Sequence, residues 1–328
     1  MMEDIEMKAL VFERFGGPEV LIYKEIPSPE LAPGHVLVRM KAAGLNYADV
    51  YRRRGNYHLA GQPPYILGYE GAGVVEEAAA DAAGLKPGDR IAFCDVPHAN
   101  AEFVLVPVEK AIPLPGDIPF ETAAGLLLQG MTAHYLTRDS YKVSDGDEVI
   151  VHAAAGGVGQ LLVQLAKRQG ARVLGLVSSE AKREAARTAG ADEVLLYSDR
   201  WAQEAKSWSS GGEGATVAYD SVGATLMDSF AAVRTKGTVV FYGMAGGDPA
   251  FVDPRMLMDT SKTLTGGDLW NHVTTREDRL RRANELFRWL RDGSLKLEQP
   301  RVFPLPEGAD AHRLLESRQS TGKIILIP

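Results

Sequence analysis

The chain has 328 residues, 45% of them hydrophobic and 24% charged, which is enough for two domains with substantial cores and is an ordinary globular composition. Lys and Arg number 36 against 43 Asp and Glu, a net charge of -7 with no basic tract, which argues against nucleic acid as the main partner. No apolar run reaches the length of a membrane span, and the acidic residues 1–8 lack the basic and apolar regions of a signal peptide and are expected to trail as a polar extension. The single cysteine, Cys94, excludes an internal disulfide and a cysteine-built zinc site, so the cytoplasm is the expected compartment.

Short β-prone runs dominate the first third: Lys8-Ala9-Leu10-Val11-Phe12, Val36-Leu37-Val38-Arg39-Met40, Gly73-Val74-Val75-Glu76, a run at 91–93 after Pro87-Gly88, and Glu102-Phe103-Val104-Leu105-Val106. Turn residues such as Gly16-Gly17-Pro18 and Pro33-Gly34 separate them. Strands so short and closely spaced predict a closed or partly closed β domain. Residues 118–124 read as a helix start, and Ala-rich helical sequence follows to about Leu136. Strands at 148–152, 171–177, 193–196, 216–220 and 237–241 then alternate with helices that include 159–170 and 180–189. Apolar strands with intervening helices predict a parallel sheet covered on both faces. After Gly267 the alternation stops; a charged helix over 274–292 and a last strand over 323–327 follow.

Ala154-Ala155-Gly156-Gly157-Val158-Gly159 stands between the strand at 148–152 and an apolar helix. This is the position of a dinucleotide turn, with Ala154 in place of the first glycine. Gly156 lets the backbone approach a pyrophosphate, Gly159 lets the helix pack on the strand, and the N–H groups at the helix start face the phosphates. The end of the second strand discriminates between cofactors, because an acidic residue there binds the 2′-hydroxyl of NAD. Here Ser178-Ser179 occupies it, with Lys182 and Arg183 just after. Two hydroxyls and a cation suit a 2′-phosphate and favour NADPH over NADH, with Glu180 as a counter-signal.

Several blocks together resemble the zeta-crystallin-like quinone oxidoreductases, the zinc-independent branch of the medium-chain dehydrogenase/reductases. They are Phe15-Gly16-Gly17-Pro18-Glu19-Val20-Leu21, Ala43-Gly44-Leu45-Asn46-Tyr47-Ala48-Asp49, Gly68-Tyr69-Glu70-Gly71-Ala72-Gly73, the glycine turn, Tyr219-Asp220-Ser221-Val222-Gly223 and Leu315-Glu316-Ser317-Arg318. The resemblance spans nearly the whole chain. It implies an α/β fold: a GroES-like β-barrel catalytic domain with a Rossmann doubly wound parallel-sheet domain. The implied boundaries are 1–126 for the first, 127–267 for the second and 268–328 for a C-terminal return to the first. It also implies a homodimer joined through the Rossmann sheets and an active site in the cleft between the domains.

Carried over by position, Asn46, Tyr51 and Thr132 are the candidate catalytic residues. The candidate cofactor residues are the same three with Gln129, Tyr135, Ala155, Gly156, Gly157, Val158, Ser178, Ser179, Lys182, Ser221, Gly243 and Arg318. Tyr197 is expected near the adenine, Tyr242 and Met244 in the groove, and Leu269 near the nicotinamide amide. Gly266-Gly267-Asp268 departs from the family pattern and bears on the substrate pocket.

Zinc-dependent relatives use a Gly-His-Glu segment and a ligand cysteine. Tyr69 replaces that histidine, Asn46 stands at the cysteine position, and Glu70 alone cannot make a three-ligand site, so no metal is expected. Cys94 reads as a small buried residue, His134 as a packed or solvated helix residue and His152 as structural. Arg52-Arg53-Arg54 reads as a solvated charged face, with attraction of an anionic substrate as the other reading. Without a metal to polarise a carbonyl, easily reduced acceptors are favoured. The expected activity is therefore NADPH-dependent quinone reduction. Reduction of conjugated C=C bonds in enals, enones or enoyl thioesters, or NADPH binding without catalysis, are the alternatives.

Overall fold

The structure is a computed structural model describing residues 6–328. Most of the expected polar extension lies outside the described residues; Glu6, Met7 and Lys8 already belong to the first strand. In chain order the first part contains β1 (Glu6–Phe12), β2 (Ile22–Pro27), β3 (His35–Leu45), α1 (Tyr47–Arg54), β4 (Tyr65–Ile66), β5 (Glu70–Ala78), β6 (Arg90–Cys94), β7 (Phe103–Pro107), β8 (Ile112–Pro113) and α2 (Phe120–Tyr135). The middle part contains β9 (Glu148–Val151), α3 (Gly157–Arg168), β10 (Arg172–Val177), α4 (Arg183–Thr188), β11 (Glu193–Leu196), α5 (Trp201–Trp208), β12 (Ala215–Asp220), α6 (Leu226–Ala232), β13 (Val233–Phe241), α7 (Pro254–Thr260) and β14 (Thr263–Gly266). The last part contains α8 (Arg276–Arg291), β15 (Arg301–Pro304), α9 (Gly308–Glu316) and β16 (Ile324–Ile327).

The chain divides into two compact units. One comprises the chain through Leu128, Val273–Phe287 and Leu297–Pro328; the other comprises Gln129–His272 and Arg288–Lys296. The first unit holds a three-stranded sheet, β2-β1-β4, and a seven-stranded sheet, β15-β16-β3-β5-β6-β8 with β7 also on β3. β1 shows why its run is so apolar. Successive side chains point to opposite faces, so Met7, Ala9 and Val11 pack with Ala101 while Leu10 and Phe12 join the main core of Val36, Val38, Ile91 and Phe93.

The second unit is a six-stranded sheet in the order β11-β10-β9-β12-β13-β14, all of its pairs parallel. The strand order runs outward in both directions from β9 and β12, which creates a topological switch point at their C-terminal ends. Val149, Ile150 and Val151 of β9 are fully buried, as expected when helices cover both faces.

Local geometry shifts several boundaries. The helix expected from Gly159 begins at Gly157. The helix expected over 180–189 is a 3-10 turn, Glu180–Lys182, followed by α4. α1 forms in a stretch to which the sequence reading assigns no element. Asp49, three residues after Asn46, accepts its backbone N–H at 3.0 Å and so satisfies a donor at the helix start.

The expectation of a solvated arginine face fails for two of the three residues. Arg52 and Arg53 are 1% and 0% exposed. Arg52 pairs with buried Asp49 at 3.2 Å and lies 3.6 Å from the centroid of the Tyr69 ring. Arg53 donates to Gly16 O at 3.1 Å, contacts His312 Nδ1 at 2.8 Å and pairs with Glu316, which also binds Arg54. A run of like charges reads as a solvent face only until its counter-charges are located: for Arg52 it is Asp49 on the same helix, and for Arg53 and Arg54 it is Glu316 on α9, more than 250 residues away.

Burial and the neighbouring Arg53 push His312 down to about 3 from its ordinary 6.5. The imidazole is therefore neutral in the fold and protonated in the unfolded chain below about pH 6.5, so its contribution to stability is lost as pH falls from there toward 3. One such proton is worth about 1.4 kcal/mol per pH unit. A thermal-unfolding series between pH 7 and pH 4 should fall steeply, and His312→Asn should flatten that slope. Parallel curves for the two proteins would refute the assignment.

Candidate functional site

The turn after β9 has the geometry the glycines require. Ala153 adopts a left-handed φ of 48° and Gly156 caps α3 in extended conformation. A Cβ at Gly159 would overlap Ala153 O and come within 2.8 Å of Ala154 Cα, so only glycine permits this contact between helix and turn. A Cβ at Gly157 would stand 2.6 Å from Gln129 Cδ, which places the Gln129 side chain against the turn. The first-turn N–H groups of an α-helix have no partners within the helix and carry the positive end of its dipole.

A chain of hydrogen bonds beneath this turn holds Ala153. Its N–H donates to the Tyr197 hydroxyl at 3.1 Å, and that hydroxyl lies 3.1 Å from His152 Nδ1. On the other side of the ring, Nε2 is 3.0 Å from Ser229 Oγ, which donates to Asp220 Oδ2 at 2.6 Å. The directions are self-consistent only if His152 carries its proton on Nε2 and accepts from Tyr197 on Nδ1. Burial lowers the His152 pKa, in keeping with a neutral ring. His152 is therefore structural, as expected. Tyr197 supplies its hydroxyl to the turn, and its ring packs 6.4 Å from that of Trp201.

The other candidates of the second unit cluster at the C-terminal ends of its strands. Ser178 and Ser179 are exposed directly after β10, and half-buried Lys182 ends the 3-10 turn that follows. Glu180, the counter-signal for NADPH, pairs with Arg183 at 2.9 Å. After β12 and β13, Tyr242 N donates to Asp220 O at 2.9 Å and Ala245 N to Ser221 O at 3.0 Å. Gly243 backs onto Ser221, and Met244 onto Gly223. Thr132 and Tyr135 share α2; Tyr135 stacks on His272 at 4.3 Å and abuts Gly267, and Leu269 is buried nearby in sequence. His134 is buried and stacks on Trp289, so it is a packing residue.

Asn46, Tyr51 and Arg318 belong to the first unit. Tyr47, Tyr51 and Tyr57 form a line of rings with centroids 5.4 and 6.3 Å apart. Arg318 follows α9 with a left-handed φ of 59°. Asn46 is at the centre of a buried polar cluster. Its Nδ2 donates to Glu70 Oε2 at 2.9 Å, and its Oδ1 accepts from Lys323 Nζ at 2.8 Å. Lys323 Nζ also meets Glu70 Oε2 at 2.7 Å, while Leu128 N donates to Glu70 Oε1 at 2.7 Å. Burial raises the pKa of Asp49, the next carboxylate along, with Arg52 opposing the shift. A Cβ on Gly44 would overlap Glu70 Oε2 and the Ala124 carbonyl, so the close approach depends on that glycine.

The sequence reading did not single out Lys323, Asp49 or Gly44 as site residues. The one local signal for Lys323 is a cation at the entrance to the otherwise apolar Ile324-Ile325-Leu326-Ile327. Nothing local links it to Asn46, 277 residues away.

These donors do not suit a zinc ion. Both Glu70 oxygens are taken up by an ammonium, an amide and a backbone N–H, and Tyr69 donates no imidazole. Among the described residues no group of three His, Cys, Asp or Glu side chains could hold a metal ion. Burial pushes the Cys94 thiol up to about 12, against the opposing Arg279, so it is an inert thiol at neutral pH. Among the described residues no helix is long and apolar enough to cross a membrane.

Residues 32–145 match the alcohol dehydrogenase GroES-like domain, and residues 157–285 match the zinc-binding dehydrogenase family. A GroES-like domain followed by a Rossmann domain defines a medium-chain dehydrogenase/reductase. A 2-haloacrylate reductase from a Burkholderia species is 37% identical over 328 residues, covering 98% of each chain. A quinone oxidoreductase from Pseudomonas aeruginosa is 38% identical, covering 98% of this chain and 99% of the relative. The crystal structure of Escherichia coli quinone oxidoreductase complexed with NADPH superposes with a TM-score of 0.94 at 34% identity, covering 98% of this chain and all of that one. The chain belongs to the quinone oxidoreductase family, within the zinc-independent branch.

Proposed function

We propose that this protein is an NADPH-dependent quinone oxidoreductase that works without zinc. The observation that carries the reading is full-length similarity to quinone oxidoreductases, one of them solved with NADPH; the glycine turn after β9 and Ser178-Ser179-Lys182 after β10 support it. The residues fit the cofactor. Gly156 leaves its outer face open, with a Cβ there meeting only Ala153 O at 3.2 Å, and the start of α3 offers backbone donors to the pyrophosphate. When bound, NADPH supplies the reducing equivalents.

The protein's own residues bind and orient. Ser178 and Ser179 donate to the 2′-phosphate and Lys182 supplies the charge. Gln129, Ala155, Gly157, Val158, Ser221, Tyr242, Gly243 and Met244 line the dinucleotide groove, with Tyr135, Tyr197, Leu269 and Arg318 completing it. Asn46, Tyr51 and Thr132 serve the acceptor, Tyr51 and Thr132 with hydroxyl donors for the oxygen that gains charge. Positioning and electrostatic stabilisation are the protein's share, because a quinone spreads the added charge over its ring.

The 2-haloacrylate reductase relative favours a second reading, reduction of a conjugated C=C bond. A steady-state panel of quinones, enones and 2-haloacrylates, each with NADPH and with NADH, decides between them. Quinones should give the highest kcat/KM, with NADPH preferred. An enone or haloacrylate turned over a hundredfold faster than any quinone would reverse the two readings.

The protein is a cytoplasmic homodimer in this reading. The edge strand β14 and the segment before it support the dimer: Phe251, Met258 and Leu264 are exposed apolar side chains in a line of chain that ends the Rossmann sheet.

A further inference from the structure

We propose that Lys323 is a positioning residue of the reaction, acting through the side-chain amide of Asn46. This rests on the reading of Asn46 as a site residue of the reductase.

Register places the two residues together. β16 runs antiparallel to β3 with Ile324 opposite Leu45, Ile325 opposite Gly44 and Leu326 opposite Ala43. One step further out, the same ladder puts Lys323 opposite Asn46, the residue at the start of α1. Both side chains are buried, Lys323 at 6% and Asn46 at 4% exposure. An amide can turn over at little cost unless its two ends are distinguished, since its oxygen and nitrogen differ only in hydrogen-bonding sense. Lys323 distinguishes them. Its ammonium can only donate, so it selects Asn46 Oδ1, at 2.8 Å. Glu70 Oε2 accepts from Asn46 Nδ2 at 2.9 Å and from Lys323 Nζ at 2.7 Å, closing a three-membered ring of hydrogen bonds.

The ring has one arrangement of donors and acceptors. Reversing the amide would aim N–H groups at an ammonium and a carbonyl oxygen at a carboxylate. Two further contacts tie this ring to the neighbouring elements. Leu128 N, on α2, donates to Glu70 Oε1, and Asn46 N donates to Asp49 Oδ2 in the first turn of α1. Lys323 thus holds the amide of Asn46 in a single orientation at the start of the helix that carries Tyr51. It also balances a carboxylate that would otherwise be buried beside the site without a cation.

The groups proposed for the phosphates, on the glycine turn and after β10, belong to the second unit, whereas this ring belongs to the first. Loss of Lys323 is therefore expected to lower turnover and leave cofactor affinity alone. Lys323→Met should reduce kcat about tenfold or more while the Kd for NADPH changes less than about twofold. Lys323→Arg, which keeps a buried donor cation, should recover most of the loss. In an Asn46→Ala background, Lys323→Met should cost no further kcat, because its effect passes through the missing amide.

Equal rises in the NADPH Kd and falls in kcat, no recovery with arginine, or full additivity with Asn46→Ala would overturn the proposal. The emission of bound NADPH provides a readout that needs no turnover. If the wild-type protein reduces no quinone or enone, the functional reading fails. Lys323 would then be judged on whether Lys323→Met alters the nicotinamide emission in the same sense as Asn46→Ala. An unchanged emission would count against it.

Discussion

Gly159→Ala should lower NADPH affinity by a thousandfold or more, the largest single effect expected in this protein. The added methyl would collide with Ala153 O and stand 2.8 Å from Ala154 Cα. Both are backbone atoms, so no side-chain rotation relieves the overlap. The helix start must move away from the turn, and with it the N–H groups proposed above to receive the pyrophosphate. A charge-assisted hydrogen bond contributes about 1.5–3 kcal/mol, so losing two of them gives roughly the stated factor. Ala153 cannot yield in compensation, because its left-handed backbone is pinned by the Tyr197 hydroxyl and the His152–Ser229–Asp220 chain below it. Fluorescence titration with NADPH measures the loss, and circular dichroism controls for folding. Near-wild-type affinity in a folded variant would show that the turn does not hold the dinucleotide.

Lys182→Ala should weaken NADPH about tenfold to a hundredfold and NADH by less than about twofold, since one charge-assisted contact to a phosphate is removed. Selectivity is the informative quantity. Ser178 and Ser179 are exposed at the end of β10 with Lys182 a turn beyond, and Arg183 is occupied by Glu180 and the Val194 carbonyl at 2.8 Å. Lys182 is the cation that the proposed reading assigns to the 2′-phosphate. Paired titrations of both dinucleotides check it. Equal losses for NADPH and NADH would mean that the 2′-phosphate is read elsewhere.

The two expectations differ in how they could be reached. The glycine turn, the alternation of apolar strands and helices, and the serines after the second strand are short stretches of chain whose local conformation can be read from neighbouring residues. A strand that ends in glycines and runs into a helix has few other ways to fold. His152 and Cys94 were also readable, since an apolar strand end leaves little choice but burial.

The arginines of α1 were not readable in that way. Arg52-Arg53-Arg54 has the composition of a solvent face, yet two of the three are buried because Asp49, Glu316, His312 and the Tyr69 ring close around them. The same holds for Lys323, whose role depends on a strand pairing that joins positions 277 residues apart.

The sequence by itself determined the class of fold, the dinucleotide turn and the cofactor preference, because each depends on neighbours within a few residues. Only the tertiary structure decided which charges are buried and which amide is held in place. Those outcomes depend on long-range pairing, and a charge is stable in a low-dielectric interior only where the fold delivers its partner.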